Sequence, residues 1–242
     1  MTSTSLGSRF QLESFTPDRP AGDGDGQAVL LAMTTEHFTL QTARAVTVSD
    51  SNGRTALYLG SLSSSLVALA LVAQQLRFGD VFLVFVLTVL PALLFLGLVT
   101  YVRVLHNSVE DIIYARATNR IRHYYTEIDP TKAHYFLLSG RGALQNMFLR
   151  DSWTQLLFTL PSAVAVINGL LAGATAALAL AFAARGVAPL LATVVGAGFG
   201  SAVLILHVAY QVRHFTRMRT AVEARFPSPP WGPRPSRPRR AP

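Results

Sequence analysis

Residues 81–102 decide the fold: they read VFLVFVLTVLPALLFLGLVTYV and contain no Asp, Glu, Lys or Arg. The hydrocarbon core of a bilayer is about 30 Å thick, and a helix rising about 1.5 Å per residue needs about 20 apolar residues to cross it. The stretch meets that length. Pro91 predicts a kink, since proline is tolerated in a membrane helix when neighbouring groups satisfy the freed carbonyl.

The chain contains three more stretches without Asp, Glu, Lys or Arg: 55–76, 152–184 and 186–212. Only 14% of the residues are charged, whereas soluble domains average about 25%. The predicted class is therefore all-α: a polytopic membrane protein with four transmembrane helices in two hairpins and a helical cytoplasmic loop. The predicted spans are 56–76, 81–102, 156–183 and 187–210.

The basic residues predict the orientation. Of the 21 Lys and Arg residues, only Arg77 and Arg185 fall in the two tight connections within the hairpins, and nineteen fall in the N-terminal segment, the middle loop and the tail. Because cytoplasmic segments are enriched in Lys and Arg, both termini and the middle loop are expected in the cytoplasm. The expected location is the plasma membrane, with multiple passes.

The sequence also predicts the order of segments. They are a disordered segment (1–27), a cytoplasmic juxtamembrane helix (28–55), the first hairpin (56–105), a cytoplasmic helical loop (106–152), the second hairpin (153–212) and a basic, Pro-rich cytoplasmic tail (213–242).

Local signals predict where helices break within this order. Asn52-Gly53 favours a short break before the first span, and a helix that runs through into the membrane is the alternative. Ser108 resembles a helix start, yet no Gly or Pro separates it from the second span, so one helix continuing to about Ile128 is the alternative. Asp129-Pro130 predicts its end, and residues 131–138 a short helix capped by Thr131.

The chain offers no catalytic set. It has no cysteine, its six histidines show no metal-ligand spacing, and no Ser stands in a GxSxG motif. We therefore expect no enzyme activity, no cofactor and no metal. The net charge of +8 is expected to face anionic lipid headgroups and not nucleic acid, because no nucleic-acid-binding motif accompanies it.

Polar residues in the spans are the first candidates for a transport path. None is charged. Asn168 stands nearest the middle of the membrane, and its alternatives are a pore or substrate contact and an interhelical hydrogen bond worth about 1 kcal/mol. Gln74, Gln75 and His207 lie near span ends, where snorkelling explains them.

Small residues four apart form a stronger pattern, because they let helix backbones approach closely. The pairs are Gly60 with Ser64, Gly169 with Gly173, and Gly196 with Gly200. They predict helix packing, either within one chain or in a homo-oligomer.

The middle loop carries a basic helix face. Arg116, Arg120 and His123 share one side by spacing, and Arg122 lies beside them. One interpretation is a cytoplasmic extension whose arginines lie near headgroups. The alternative is a site for an anionic ligand, such as a nucleotide or a phospholipid head, because Arg pairs bind phosphate in bidentate fashion.

Two stretches carry a resemblance. Residues 37–44 (HFTLQTAR) with 53–60 (GRTALYLG), and residues 115–125 (ARATNRIRHYY), resemble a group of four-span membrane proteins of GC-rich bacteria, over about residues 35–210. The resemblance implies no activity and no catalytic residue. A short helix before a hairpin of spans is also similar, in architecture only, to SLATT-type effectors, which have two spans.

Three functional hypotheses follow. The first is a non-enzymatic, cytoplasm-facing scaffold, sensor or effector that forms an oligomer. The second is a ligand-gated channel or pore. The third, a lipid-modifying membrane enzyme, has no residue to carry it.

Overall fold

The computed structural model describes residues 23–76, 79–135 and 159–225. The chain divides into two compact units, 1–36 and 37–242. The first contributes the opening turns of α1, where Thr34 and Thr35 donate hydroxyl hydrogen bonds to the carbonyls of Leu30 and Leu31.

Four long helices make up the described part of the chain, which contains no strand: α1 (Asp23–Leu76), α2 (Asp80–Ile128), α3 (Leu160–Ala183) and α4 (Pro189–Arg225). Each is long and apolar enough to cross a membrane. The protein is therefore a multi-pass helical membrane protein. We call the end where α1 meets α2 and α3 meets α4 the hairpin end, and the opposite end the loop end.

The sequence favours a break at Asn52-Gly53, and this prediction is wrong. Helix α1 continues through these residues from the juxtamembrane segment into the span. On one side of the helix, the buried residues Thr47, Ser51 and Thr55 form a stripe that passes the position of the expected break. On the other side Gly53 has no neighbour. Packing of the stripe outweighs the cost of a helical glycine, which is about 1 kcal/mol.

Helix α2 also continues out of its span, and Ser108 does not begin a new helix. Its hydroxyl donates to the carbonyl of Val104 one turn earlier. The helix passes through Pro91 and ends where Asp129 adopts an extended backbone, as predicted. Residues 136–152 of the predicted helical loop lie outside the described residues, as do 1–22 and the tail from 226.

A 3₁₀ helix, Pro130–Tyr135, follows α2. Asp129, and not Thr131, caps it: the Asp129 carboxylate accepts a hydrogen bond from the Thr131 backbone N–H at 3.1 Å. Hydrogen bonds from Thr131 and Lys132 lower the pKa of Asp129. The negative charge is therefore kept at the start of this short helix, where it is favourable.

Helices α3 and α4 form a tight hairpin. Pro161 lies in the first turn of α3, where a missing N–H costs nothing. At the connection Gly186 has φ of 103°, a left-handed conformation that favours glycine. The Arg185 guanidinium lies 2.6 Å from the Asp80 carboxylate, so an ion pair joins the two connections of the hairpin end.

The tightest packing lies towards the loop end. The largest side chains below 2% exposure all come from the loop-end half of the four helices: Tyr58, Tyr101, Val104, Leu105, Pro161, Val164, Asn168 and Gln211. Four of these, Tyr58, Tyr101, Asn168 and Gln211, carry polar or phenolic groups within or beside the spans, and they lead to the candidate site.

Candidate functional site

A cluster of four polar side chains joins all four helices inside the bundle. We call Tyr58, Tyr101, Asn168 and His207 the central cluster. Tyr58 in α1 donates its hydroxyl hydrogen to Asn168 Oδ1 in α3 at 2.9 Å. The Asn168 amide in turn lies 3.4 Å from His207 Nε2 in α4. Asn168 is completely buried and His207 is 9% exposed.

The contacts of His207 fix its tautomer. Its Nδ1 lies 2.8 Å from the carbonyl oxygen of Val203, which only accepts, so Nδ1 carries the hydrogen. Its Nε2 faces the Asn168 amide nitrogen, which only donates, so Nε2 accepts. Tyr101 completes the cluster: its hydroxyl donates to the His207 carbonyl at 2.5 Å, and the two rings meet edge to face.

Gly97 in α2 makes room for this cluster. A Cβ atom at this position would overlap the Asn168 side-chain oxygen and would lie 2.6 Å from the Tyr58 hydroxyl. Real side chains do not tolerate such contacts, so the hydrogen bond between α1 and α3 requires a glycine in α2. No sequence pattern singled out Gly97, because its only signal is an isolated glycine inside an apolar span.

Two sequence interpretations can be compared with this geometry. Asn168 forms the interhelical hydrogen bonds that one interpretation gave it. The snorkelling predicted for His207 is wrong, because its ring points into the bundle and not to the membrane surface. Gln74 and Gln75, near the hairpin end, are exposed.

A second buried cluster lies closer to the loop end. The Gln211 amide donates to Thr159 Oγ1 at 3.2 Å and accepts from Ser162 Oγ at 3.3 Å. Gln211 is completely buried. Its amide is therefore satisfied by the first turn of α3, which ties the loop-end edges of α3 and α4 together.

A pair of histidines follows beyond the span. The rings of His106 in α2 and His214 in α4 are 5.0 Å apart, and His214 stacks on Tyr210. Burial lowers the pKa of His214, as do the nearby His106 and Arg217. His207, Gln211 and His214 are spaced by four and three, so they share one face of α4. This spacing is visible in the sequence and predicts a polar face on α4.

Beyond the membrane, α1 and α2 stay together as a two-helix arm held by polar contacts. Arg44 binds Asp111 through Nε at 2.8 Å and Nη2 at 3.2 Å. Asp50 receives hydrogen bonds from Arg54 and from the Asn107 amide, the latter at 2.7 Å. These two contacts are the main causes that lower the pKa of Asp50. The arm consists of the same two helices, α1 and α2, that carry Tyr58 and Tyr101 of the central cluster.

The predicted basic face lies further out on α2. Arg116 and Arg122 are half-buried, Arg120 is exposed, and His123 lies 3.3 Å from the Glu127 carboxylate on its own helix. Arg122 lies near His37 of α1: burial lowers the pKa of His37, and the charge of Arg122 lowers it further. His123 thus faces a carboxylate of its own helix, and Arg122 lies beside α1.

The small-residue pairs divide into two groups. A Cβ on Gly173 would lie 2.8 Å from the Gly196 carbonyl oxygen, and one on Gly200 would lie 2.5 Å from the Gly169 carbonyl oxygen. These four glycines therefore pack α3 on α4 within one chain. Gly60 has no atom within 4 Å of its Cβ position, and Ser64 is exposed.

Within residues 23–76, 79–135 and 159–225, no group of three or more His, Cys, Asp or Glu residues could hold a metal ion. The geometry offers buried hydrogen bonds between helices and a paired arm. No family model, no curated protein and no solved structure matches the chain.

Proposed function

We propose that this protein is a non-enzymatic plasma-membrane protein that acts at the cytoplasmic face as an oligomeric scaffold, sensor or effector. One observation carries the proposal: α1 and α2 leave the membrane as unbroken helices and form an arm held by Arg44–Asp111 and Asn107–Asp50. The arm therefore continues as unbroken helix to Tyr58 in α1 and to Tyr101 in α2, which would let a partner bound to the arm act on the central cluster.

The positions of the basic residues and the lengths of the connecting segments support a role at the cytoplasmic face. Nineteen of the 21 Lys and Arg residues fall in the sequence before the first span, between the two hairpins and after the last span, as is typical of cytoplasmic segments. At the hairpin end the connections are a few residues long. A partner therefore finds a large recognisable surface only at the loop end.

The exposed side of α1 supports self-association. A Cβ added at Gly60 would meet nothing within 4 Å and Ser64 is exposed, whereas the corresponding glycines of α3 and α4 pack against each other within the chain. In a membrane, small residues at this spacing allow a second helix to approach closely. We propose that this side of α1 faces a second copy.

Mass photometry of the protein in native nanodiscs tests the proposal. We expect a defined oligomer, its loss in Gly60→Leu, and its retention in the control Gly198→Leu, since Gly198 also lacks a neighbour and should not disturb the fold. Affinity purification should recover partners through the arm. A strict monomer that recovers no partner would contradict the scaffold.

The second candidate is a gated channel, favoured by the polar face of α4 formed by His207, Gln211 and His214. That face extends only from the loop end to the central cluster. Towards the hairpin end, α3 and α4 meet glycine on glycine. A pore would therefore require several chains. Ion flux into liposomes across a panel of nucleotides tests it, and no flux under any condition would exclude it.

A further inference from the structure

Two arginines from different helices meet at one carboxylate at the loop-end edge of the membrane. Arg54 in α1 stands just before the span 56–76, and Arg103 in α2 directly follows the span 81–102. Arg54 Nε lies 2.9 Å from the Asp50 carboxylate and Arg103 Nε lies 3.6 Å from it. Two guanidinium groups are thus held together at the depth of the lipid headgroups.

Both arginines keep most of their donors available. Each meets the Asp50 carboxylate most closely through Nε, and their terminal nitrogens make no hydrogen bond to any residue in the described ranges. Arg44 differs, because it uses both Nε and Nη2 on Asp111. The terminal nitrogens of a guanidinium are the donors that bind phosphate oxygens in bidentate fashion.

The charges do not cancel at this point. Two guanidinium groups share one carboxylate, so the group of Arg54, Arg103 and Asp50 carries a net charge of about +1 at neutral pH. The side chains of Arg54 and Arg103 are 44% and 52% exposed. An anion arriving from the membrane surface therefore meets uncompensated positive charge.

The surface next to this group suits acyl chains. Leu57, one turn from Arg54, is 75% exposed, and Val99 and Leu96, one and two turns from Arg103, are 48% and 39% exposed. Helical spacing places them on the membrane side of the arginines. A charged headgroup site with an apolar surface beneath it matches the form of a phospholipid.

The basic face of Arg116 and Arg120 lies at a different depth. Arg116 stands thirteen residues after Arg103 on the same helix, which corresponds to about 20 Å along its axis. The headgroup region on each side of a bilayer is only about 5–8 Å thick. Arg54 and Arg103 are therefore at headgroup depth, and Arg116 lies beyond it.

We propose that Arg54 and Arg103 together bind the phosphate of one anionic glycerophospholipid of the leaflet at the loop end, whose acyl chains lie along Leu57 and Val99. The lipid joins α1 to α2 at the root of the arm. This proposal needs only the membrane placement of the chain and is independent of the scaffold role.

Thermal melting of the detergent-purified, full-length protein, followed by helical circular dichroism, tests it. Phosphatidylglycerol should raise the melting temperature more than phosphatidylcholine does. We expect Arg103→Gln to raise the phosphatidylglycerol concentration for half of this effect about fivefold, and Arg54→Gln to act similarly. Arg116→Gln is the matched control and should leave it unchanged.

Arg103 is half exposed and donates no short hydrogen bond, so Arg103→Gln should melt like the wild type without lipid. Inorganic phosphate alone should produce no shift, and a shift with phosphate would mean a site for a soluble anion and would overturn the lipid assignment. Equal effects of Arg103→Gln and Arg116→Gln would also overturn it, because they would indicate diffuse attraction to the membrane.

Discussion

The Tyr58 hydroxyl in α1 lies 2.9 Å from Asn168 Oδ1 in α3, although the two residues are 110 positions apart in the chain. The contact passes through the space left by Gly97 of α2 and continues to His207 of α4. The buried Asn168 amide therefore connects helices of both hairpins. Apolar packing alone would allow these helices to adopt other relative positions.

Asn168→Leu should lower the free energy of unfolding by about 1–2 kcal/mol, because it removes two interhelical hydrogen bonds and leaves Tyr58 and His207 without these partners. Equilibrium unfolding in detergent, followed by circular dichroism, measures the change. Thr175→Val is the control, since the Thr175 hydroxyl bonds only to Leu171 of its own helix. Equal stability of the two variants would contradict the role of Asn168.

Gly97→Ala should destabilise the protein more than Gly53→Ala or Gly198→Ala. The added methyl group at Gly97 overlaps the Asn168 oxygen and Tyr58, whereas the other two positions face open space. Alanine is the better helix former by about 1 kcal/mol, so the two controls should be neutral or stabilised. Melting temperatures of the three variants test this, and an ordering with Gly97→Ala highest would refute it.

Acid should destabilise the protein through His214. Burial, His106 and Arg217 hold the pKa of His214 below its usual 6.5. As the pH falls through 6.5, the unfolded chain takes up a proton that the folded protein resists, so stability present above pH 6.5 is lost towards the lower folded pKa. The melting temperature should fall between pH 8 and pH 5.5.

His214→Gln should reduce that fall, because the replacement does not titrate, while the other five histidines remain in both proteins. The ring of His214 faces His106 and Tyr210, so His106→Gln serves as a companion variant. Identical pH dependence in the wild type and in His214→Gln would show that the lowered pKa of His214 does not affect stability.

The loss of stability caused by reversing the charge of Arg44 should be recovered when the charge of Asp111 is reversed as well. Arg44→Asp alone places two carboxylates together and should cost about 1 kcal/mol, a modest value because both side chains are partly exposed. Adding Asp111→Arg should restore most of the loss. Chemical unfolding of the four proteins of this cycle gives the coupling energy, and a coupling near zero would mean that the Arg44–Asp111 pair does not help to hold the arm.

The spans and the continuation of α2 to Ile128 could be predicted, because long uncharged stretches and an Asp-Pro stop act locally. The continuity of α1 could not: Asn52-Gly53 is a real turn signal, and only the burial of Thr47, Ser51 and Thr55 overrides it. Tertiary contacts of this kind cannot be read from a single stretch.

The candidate site was predictable only in part. Asn168 was identified as the polar residue deepest in the membrane, yet its hydrogen-bond partners come from two other helices and carry no shared motif. Gly97 and Arg103 are ordinary residues in their own segments. Their importance comes from the side chains that the fold brings next to them.

The direction of the hydrogen bonds in the central cluster has one further consequence. Tyr58 donates to Asn168, Asn168 to His207, and His207 to the Val203 carbonyl. Apolar helix faces slide past one another at little cost, since a leucine meets lipid or another leucine equally well at any height. A donor meets its acceptor at one height only, so these bonds set the vertical register of α1, α3 and α4 in the membrane.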